Sequence, residues 1–404
     1  MKKVLLFLLG VVLFGCSDDE QNANTRSEAE PIELDGKQAD INANLQVFSW
    51  DFFSQIYHDK EVGENIVVSP ISLEMNLGML LNGLKGNSKQ ELLKVLHLQG
   101  YETSEIDRFF KKMMDGIQKT DKQTTFSSAN SFWFNEKYKV VKDFSSVLKE
   151  NYGAEVEDVD FADSKTKDEI NKWCAQQTKQ RIPMIINDTK PGMLFYLINA
   201  IYFDSTWEKP FEKGDSEMFT YENGTQKSIK MMKKSGNWLF TERDSYMVCS
   251  MPYTNGSFSM LLILPKEGYQ AQDVIVQLET EDLLLSRMYK TDVHVWMPDF
   301  QYVYFAGDIY GKLRNMNTDF VLNPNEMVMF EQTVNGSVFI AQKNYIKVDE
   351  RGTEAAAVTY TGLDSSAGPS FERKFVEMHL DHPFLYSIIE TSTNTPLFIG
   401  YYGN

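Results

Sequence analysis

Apolar residues recur three to four positions apart near the start of the chain, which predicts an amphipathic helix. The residues that carry this spacing are Ile41, Leu45, Phe48, Phe52 and Ile56. Ser69 followed by Pro70 predicts the start of a second helix, with the Ser69 hydroxyl as N-cap and Pro70 at the first helical position. The body of that helix, residues 73–84, is apolar nearly all round and is therefore expected to be buried.

Strand patterns dominate from Ile198 onward. Residues 260–264 and 293–296 form short strand-like runs, and the C-terminal stretch 385–402 is rich in β-forming residues. A helix-rich first half followed by a strand-rich second half predicts an α+β fold with large antiparallel sheets. No Pro/Gly-rich linker and no shift in composition divides residues 41–404, so a single large domain is expected there.

The segment 348–359 places a charged, Gly-containing turn directly before a run of small residues. Read as a strand, its two faces consist of Thr353, Ala355, Ala357 and Thr359 on one side and Glu354, Ala356, Val358 and Tyr360 on the other. The first face is small enough to slide between two existing strands. The same Ala-rich run also fits a helix, because Ala is the best helix former. The Gly/Ser/Pro stretch 362–370 predicts an exposed loop, and 375–380 then alternates like a strand.

This segment and four further motifs resemble the serpin family of serine protease inhibitors. Residues 350–357, with the sequence ERGTEAAA, are similar to the hinge of inhibitory serpins. The other motifs follow in the family's order and are 65–72 (NIVVSPIS), 199–203 with 207–211, 251–253 with 260–265, and 381–384 with 396–400. The resemblance covers the chain from about Ile41 to Asn404.

The resemblance implies a serpin fold, with about nine helices and three β-sheets, whose large central sheet A accepts a reactive loop as an extra strand. It also implies an inhibitor that traps serine proteases, with cysteine proteases as a further target class. A protease would cut the exposed loop, about 350–375, and the freed hinge would insert into the sheet. The hinge residues that the resemblance assigns are Glu350, Arg351, Gly352, Thr353, Glu354, Ala355, Ala356, Ala357, Val358 and Thr359.

The position of the reactive bond depends on the end of the loop from which it is counted. Counting seventeen residues with Glu350 as the first gives Ser366–Ala367, where small side chains imply elastase-like or broad-specificity proteases. Counting back from the C-terminal motif leads instead to Arg373 or Lys374, because the loop is about six residues longer than the family's usual spacing. Those residues would imply trypsin-like targets. We favour Ser366–Ala367, since the longer insertion would carry a bulky aromatic residue and a proline into the sheet.

The family pattern assigns five further residues to the sheet that opens. Ser69 and Ser72 would lie at the shutter, where the sheet parts, and Asn199 would bond across it. Trp207 would lie at the breach, where insertion begins. Gln342 stands where the family usually has a histidine. An amide donates and accepts like a neutral imidazole but cannot gain a charge, so pH sensitivity through this residue is expected to be lost.

The N-terminus resembles that of a bacterial lipoprotein. Residues 4–14 form an apolar run of about eleven residues, too short to cross a bilayer of roughly 30 Å but suited to a secretory signal. Residues 13–16 resemble the lipoprotein signal box, which implies a signal peptide 1–15 and a lipid on Cys16. Residues 16–40 are polar and predict a flexible tether. The expectation is an exported lipoprotein at the outer membrane. The acidic residues after the cysteine resemble a lipoprotein surface-export signal, which implies surface exposure, with a periplasmic location as the alternative.

The net charge of -17 argues against nucleic acid as a partner, because phosphates require a basic surface. Apolar residues make up 42% of the chain and aromatic residues 13%, enough for a large core. Cys174 and Cys249 would remain after processing, and two cysteines in a large exported domain are expected to be buried free thiols rather than a disulfide framework.

Motifs for catalysis are lacking in the sequence. The five histidines show no metal-ligand spacing on a helix, and there is no Gly-x-Ser-x-Gly elbow, phosphate-binding Gly loop or Cys-x-x-Cys. The sequence therefore predicts no enzyme, no metal and no cofactor, and a monomer as the assembly. The alternative to an inhibitor is a non-inhibitory serpin that acts as a surface binding or scaffold lipoprotein.

Overall fold

The structure is a computed structural model that describes residues 28–279, 284–316, 319–353 and 375–404. The α-helices in these ranges are α1 Gly36–His58, α2 Pro70–Asn82, α3 Gly86–Val95, α4 Thr103–Thr120, α5 Lys142–Tyr152, α6 Thr166–Gln177, α7 Ala271–Leu278 and α8 Ile309–Arg314. The strands are β1 Ile66–Val68, β2 Thr125–Asn135, β3 Glu155–Val159, β4 Met193–Thr206, β5 Glu212–Thr220, β6 Gln226–Glu242, β7 Tyr246–Pro252, β8 Phe258–Pro265, β9 Tyr289–Pro298, β10 Phe300–Ala306, β11 Ser337–Asp349, β12 Gly352–Thr353, β13 Val376–His379, β14 Phe384–Glu390 and β15 Thr395–Tyr402.

The strands form two sheets, and the predicted α+β class is confirmed. One sheet has nine strands in the order β1-β15-β14-β8-β7-β6-β9-β13, with β5 paired to β6. The other has six strands in the order β10-β11-β12-β4-β2-β3, with β11 also paired directly to β4. The described residues thus contain eight α-helices, two short 3-10 helices and two sheets, where about nine helices and three sheets were expected. Strand β6 is 17 residues long and pairs with β5, β7 and β9, which joins two of the expected sheets into one.

Helix α2 is buried on all sides, as its composition predicts. It packs against β4 of the six-stranded sheet and β15 of the nine-stranded sheet, so it lies between the two. Pro70 is the first helical residue. The predicted hydroxyl cap is wrong, because the Ser69 hydroxyl donates to the carbonyl oxygen of Leu397, at 2.6 Å, instead of accepting from the helix. The Ser69 hydroxyl is thus bonded to the neighbouring strand β15 and does not cap the helix.

The folded body begins before the predicted end of the tether. Helix α1 starts at Gly36 behind a capping box made by Asp35 and Gln38. Ile32 is buried, and its backbone N–H donates to the Ser392 hydroxyl at 2.9 Å. The tether prediction for 16–40 is therefore wrong for its last residues, because Ile32 has a place in the core. No helix in the described ranges is long and apolar enough to cross a membrane.

A second, smaller core covers the outer face of the six-stranded sheet. Helix α6 contributes Trp173 and Cys174 to it, and they pack with residues of β4 such as Tyr196 and Ile198. Cys174 and Cys249 are both free and buried, as predicted. Burial raises the pKa of each thiol to about 12, so both stay protonated and unreactive at neutral pH.

Candidate functional site

Two residues of the hinge segment already lie within the six-stranded sheet. Strand β12 lies between β11 and β4 and pairs antiparallel with both. Thr353 is flanked by Val348 of β11 and Ser205 of β4, and Gly352 pairs one position earlier along the hinge. The top of the sheet is therefore parted by the beginning of the hinge.

Below the hinge, β11 and β4 pair directly with each other as parallel strands. We call the line between these two strands the seam. Lys343 lies opposite Ala200 in the closed part of the seam. Five residues further along both strands, Val348 and Ser205 flank Thr353. The offset between the strands is thus the same in the closed and the parted region, so the seam can open sideways without one strand sliding along the other.

Gly352 is required by the close approach of the hinge to β4. A β-carbon at this position would lie 2.6 Å from Cα of Thr206 and would overlap the carbonyl oxygen of Ser205. Both are backbone atoms, which cannot move aside like the end of a flexible side chain. A residue with a side chain could therefore enter here only if β12 moved away from β4.

Thr353 faces the interior between the two sheets and is buried. Its hydroxyl lies 2.6 Å from the hydroxyl of Tyr253, which extends from the end of β7. Burial raises the pKa of Tyr253 above its usual value, so the phenol stays protonated and keeps this hydrogen bond. The ring of Tyr253 stacks on that of Trp207, with 4.4 Å between centroids and 8° between planes. Thr353 thus has one specific polar partner, the Tyr253 hydroxyl, in otherwise apolar surroundings.

Trp207 joins both sides of the parted end of the sheet. It follows β4 directly, and its indole N–H donates to the carbonyl oxygen of Asp349, the last residue of β11, at 2.9 Å. Its backbone N–H donates to Arg351 at 2.8 Å, and that of Phe211 donates to Glu350 at 2.7 Å. The structure thus brings Trp207 and the hinge turn together at the parted end of the sheet.

The carboxylate of Asp349 shapes the hinge turn. It accepts from the Lys347 ammonium at 2.8 Å and from the backbone N–H of Arg351 at 2.9 Å. Partial burial opposes ionisation, but these two hydrogen bonds, together with the positive charges of Lys347 and Arg351, hold the pKa of Asp349 below its usual value. The turn is therefore fixed by a charged group over the physiological pH range.

On the β11 side of the seam, Gln342 forms one polar network. Its side-chain oxygen accepts from the backbone N–H of Ser69, and its amide nitrogen donates to the Ser69 carbonyl, each at 2.8 Å. Asn344 donates to the same Gln342 oxygen at 2.8 Å and to the carbonyl of Val67 at 3.0 Å. Gln342 is therefore held by the start of α2 and by its neighbour on β11.

On the β4 side, Asn199 forms a separate network. Its oxygen accepts from the Ser72 hydroxyl, and its amide nitrogen donates to Asn130 of β2 at 2.7 Å. Among the described residues, no side-chain hydrogen bond joins Asn199 to Gln342. The shutter candidates Ser72 and Asn199 are thus bonded to each other, while the Asn199 amide bonds to β2 and not across the seam in the described structure.

Several predicted residues lie outside the described ranges. They are the hinge residues Glu354, Ala355, Ala356, Ala357, Val358 and Thr359, the candidate bonds at Ser366, Ala367, Arg373 and Lys374, and Cys16. Conversely, no pattern in the sequence indicated a role in the site for Asn344, Asn130 or Tyr253. Asn344 could have been found, because it lies two residues from Gln342 on the same strand face. Within the described part of the chain, no three His, Cys, Asp or Glu side chains form a group that could hold a metal ion.

The family described as serpin, serine protease inhibitor, matches residues 43–404 of this chain. Serpin B3 of Homo sapiens is 32% identical over 382 residues, which cover 87% of this chain and 96% of that protein. The leukocyte elastase inhibitor of Xenopus laevis is 28% identical over 88% of this chain and 97% of its own length. Tengpin, a thermophilic serpin solved in its native state, superposes with a TM-score of 0.81 at 26% identity, covering 94% of this chain and 97% of tengpin. The chain therefore belongs to the serpin family, whose members include protease inhibitors.

Proposed function

We propose that this protein is an inhibitory serpin that traps serine proteases as a suicide substrate and is not an enzyme. Serpin loop insertion is itself a standard example of strand addition to a sheet. The observation that carries the proposal is β12, because the first hinge residues already pair with both β11 and β4. The fold therefore holds a partly opened site for one more strand, supplied by its own chain.

The register of β12 supports Ser366–Ala367 as the reactive bond. Continued residue by residue, it would place Thr359 between Gln342 and Asn199, and Leu363 between Val338 and Phe195. That last pair precedes a register shift at the lower end of the seam. Ser366 comes three residues later, so a protease attached there would reach the far end of the sheet.

The alternative bond at Arg373 fits the sheet less well. Its insertion would require seven residues more than insertion up to Ser366, beyond the paired length of β11 and β4. At roughly 3.3 Å per residue, those residues would add about 23 Å of chain without strand partners. We therefore infer that elastase-like or broad-specificity proteases are the targets. The similarity to a leukocyte elastase inhibitor supports this choice.

Incubation with elastase and with trypsin, followed by denaturing electrophoresis, tests the proposal. An inhibitor gives a covalent band at the summed mass of the two proteins. Mass spectrometry should show that the released C-terminal peptide begins at Ala367. A serpin that acts only as a binding or scaffold protein would give cleavage without a covalent band.

Thermal unfolding provides an independent test. Cleavage between residues 362 and 374 should raise the melting temperature, because the freed hinge fills the seam. A melting temperature unchanged by cleavage would contradict the proposal, whatever protease was used.

We further propose that the chain is a monomeric outer-membrane lipoprotein anchored through a lipid on Cys16 and exposed at the surface. The anchor would join a folded body that begins near Glu30. Replacement of Cys16 with Ser should release the protein from the membrane fraction. Protease treatment of intact cells would distinguish a surface-exposed body from a periplasmic one.

A further inference from the structure

Lys234 has an unusual position for a lysine, because it is only 8% exposed and lies among aromatic rings. Its ammonium nitrogen is 5.8 Å from the ring centroid of Trp207 and 5.4 Å from those of Phe211 and Trp238. A cation within about 6 Å of an aromatic face is attracted by the electrons of the ring, most strongly where water is excluded. We call Lys234 and these three rings the lysine cage.

The local sequence of β6 helps to build this cage. Lys234, Gly236 and Trp238 alternate along the strand and therefore lie on one face. A β-carbon at Gly236 would overlap the indole of Trp238, so only glycine lets that ring lie flat over the strand. The ring thereby reaches back towards Lys234.

The other two rings belong to residues that hold the hinge turn. Trp207 donates to the carbonyls of Asp349 and Arg351, and Phe211 donates to that of Glu350. The lysine cage thus connects β6 of the nine-stranded sheet to the parted end of the six-stranded sheet.

Filling this space with an uncharged side chain would cost less free energy, because burying an ammonium removes its hydration. We propose that Lys234 is a positioning residue that orients Trp207 and Phe211 and so keeps the hinge turn docked at the top of the seam before cleavage. The docking itself does not depend on inhibition. Its consequence, a loop held ready for insertion, rests on the proposed function.

Hydrogen exchange of the uncleaved protein, followed by mass spectrometry, tests this role without any protease. The backbone amides of Trp207 and Phe211 donate to hinge carbonyls, so peptides from 203–213 report on hinge docking. In the Lys234→Met variant, the amides of these peptides should exchange at least tenfold faster than in the wild type. In the Lys234→Arg variant, their exchange rates should stay within about threefold of the wild type. Peptides from the lower half of β4, residues 194–199, should exchange at the wild-type rate in both variants.

Three outcomes would overturn the proposal. Peptides 203–213 could exchange as slowly in Lys234→Met as in the wild type, or as fast in Lys234→Arg as in Lys234→Met. The third outcome is that peptides 194–199 are accelerated as much as peptides 203–213. Lys234→Gln provides a second neutral variant if Lys234→Met does not fold. The covalent-band assay on the wild type is a separate experiment, so a failure of the inhibitor proposal would not be confused with a failure of this one.

Discussion

The upper and lower parts of the seam between β11 and β4 are held by different interactions. At the top, the strands are separated by β12 and bridged by Trp207 through backbone carbonyls of the hinge turn. Lower down, the strands pair directly, and each is tied to the first turn of α2 by its own amide network. The top thus depends on the hinge, whereas the lower part depends on a buried helix.

This difference indicates how the sheet can open in order. Lengthening β12 by one residue needs only the next pair of strand residues to part, because the register is already set. When the opening reaches Gln342 and Asn199, the contacts of α2 to one of the two strands must break. At this level, the direct bonding between β11 and β4 comes from their backbones, since the side chains of Gln342 and Asn199 are not bonded to each other in the described structure.

The largest effect is expected from Thr353→Arg. Thr353 is 2% exposed, and burying a guanidinium there would cost several kcal/mol. The loop should still be cut by elastase, but the covalent band should disappear on denaturing gels. Thr353→Val is the matched control, because it loses only the hydrogen bond to Tyr253 and should keep the band. Normal complex formation by Thr353→Arg would show that the top of the seam is not the entrance.

A pH effect should report on the lower part of the seam through α2. Glu74 of α2 is buried and accepts a hydrogen bond from the Ser49 hydroxyl at 2.8 Å. Burial raises the pKa of Glu74 from about 4.5 to about 8. The folded state therefore binds this proton more tightly than the unfolded state, so stability is full below about pH 4.5 and is lost as the pH rises to about 8.

The replacement Glu74→Gln should remove this pH dependence. The free energy of unfolding of the wild type, relative to that of the variant, should fall by about 1.4 kcal/mol per pH unit, or about 3 kcal/mol between pH 5 and pH 7. Urea unfolding at several pH values measures the difference. Glu267→Gln, in an exposed turn, is the control and should leave the pH profile unchanged. Parallel profiles for the wild type and Glu74→Gln would contradict the assignment.

Gly352→Ala should weaken the top of the seam without touching the lower part. The overlap with Ser205 should destabilise the docked hinge by about 1–3 kcal/mol. Faster hydrogen exchange at residues 348–353 would reveal the undocked turn. Gly192→Ala is the matched control, because a β-carbon at Gly192 meets no atom within 4 Å. Equal exchange rates in the two variants would exclude the close approach as the reason for glycine.

The smallest effect should come from coupling between the two amide networks. Gln342→Ala and Asn199→Ala should each cost about 1–3 kcal/mol, because each leaves buried partners unsatisfied. Within the part of the chain that the structure describes, Gln342 and Asn199 share no side-chain hydrogen bond, so the coupling energy between them should be smaller than that of a directly bonded pair. The pair Ser72→Ala and Asn199→Ala should instead show coupling of about 0.5 kcal/mol or more, since these side chains are bonded. Strong coupling between Gln342 and Asn199 would mean that one network spans the seam.

Hydrophobic periodicity predicted the structure correctly where the environment of a residue is set by its position along its own helix or strand. The helical spacing from Ile41 to Ile56 predicted α1, and the apolar composition of 73–84 predicted the burial of α2. The α+β class and the two buried thiols also followed from the sequence. The two helix predictions are local, because a side chain's face is set by its position along a helix.

Other features depended on partners that are distant in sequence. The Ser69 hydroxyl was expected to cap α2 but bonds to Leu397, more than three hundred residues away. Ile32 was assigned to a tether because its neighbours are polar, yet it fits against Gly116. Among the described residues, two of the expected sheets are joined through β6, since its pairing with three strands depends on their arrangement in space.

The sequence alone determined the first two helices, the α+β class, the small-residue pattern of the hinge and the resemblance to the serpin family, because each of these can be recognised from short runs of residues along the chain. Only the tertiary structure decided that Gly352 and Thr353 already part the sheet, that Gln342 and Asn199 belong to separate networks, and that Lys234 lies in an aromatic cage. Each of these arrangements includes contacts between residues that are tens to hundreds of positions apart. Such contacts arise only when the whole chain packs.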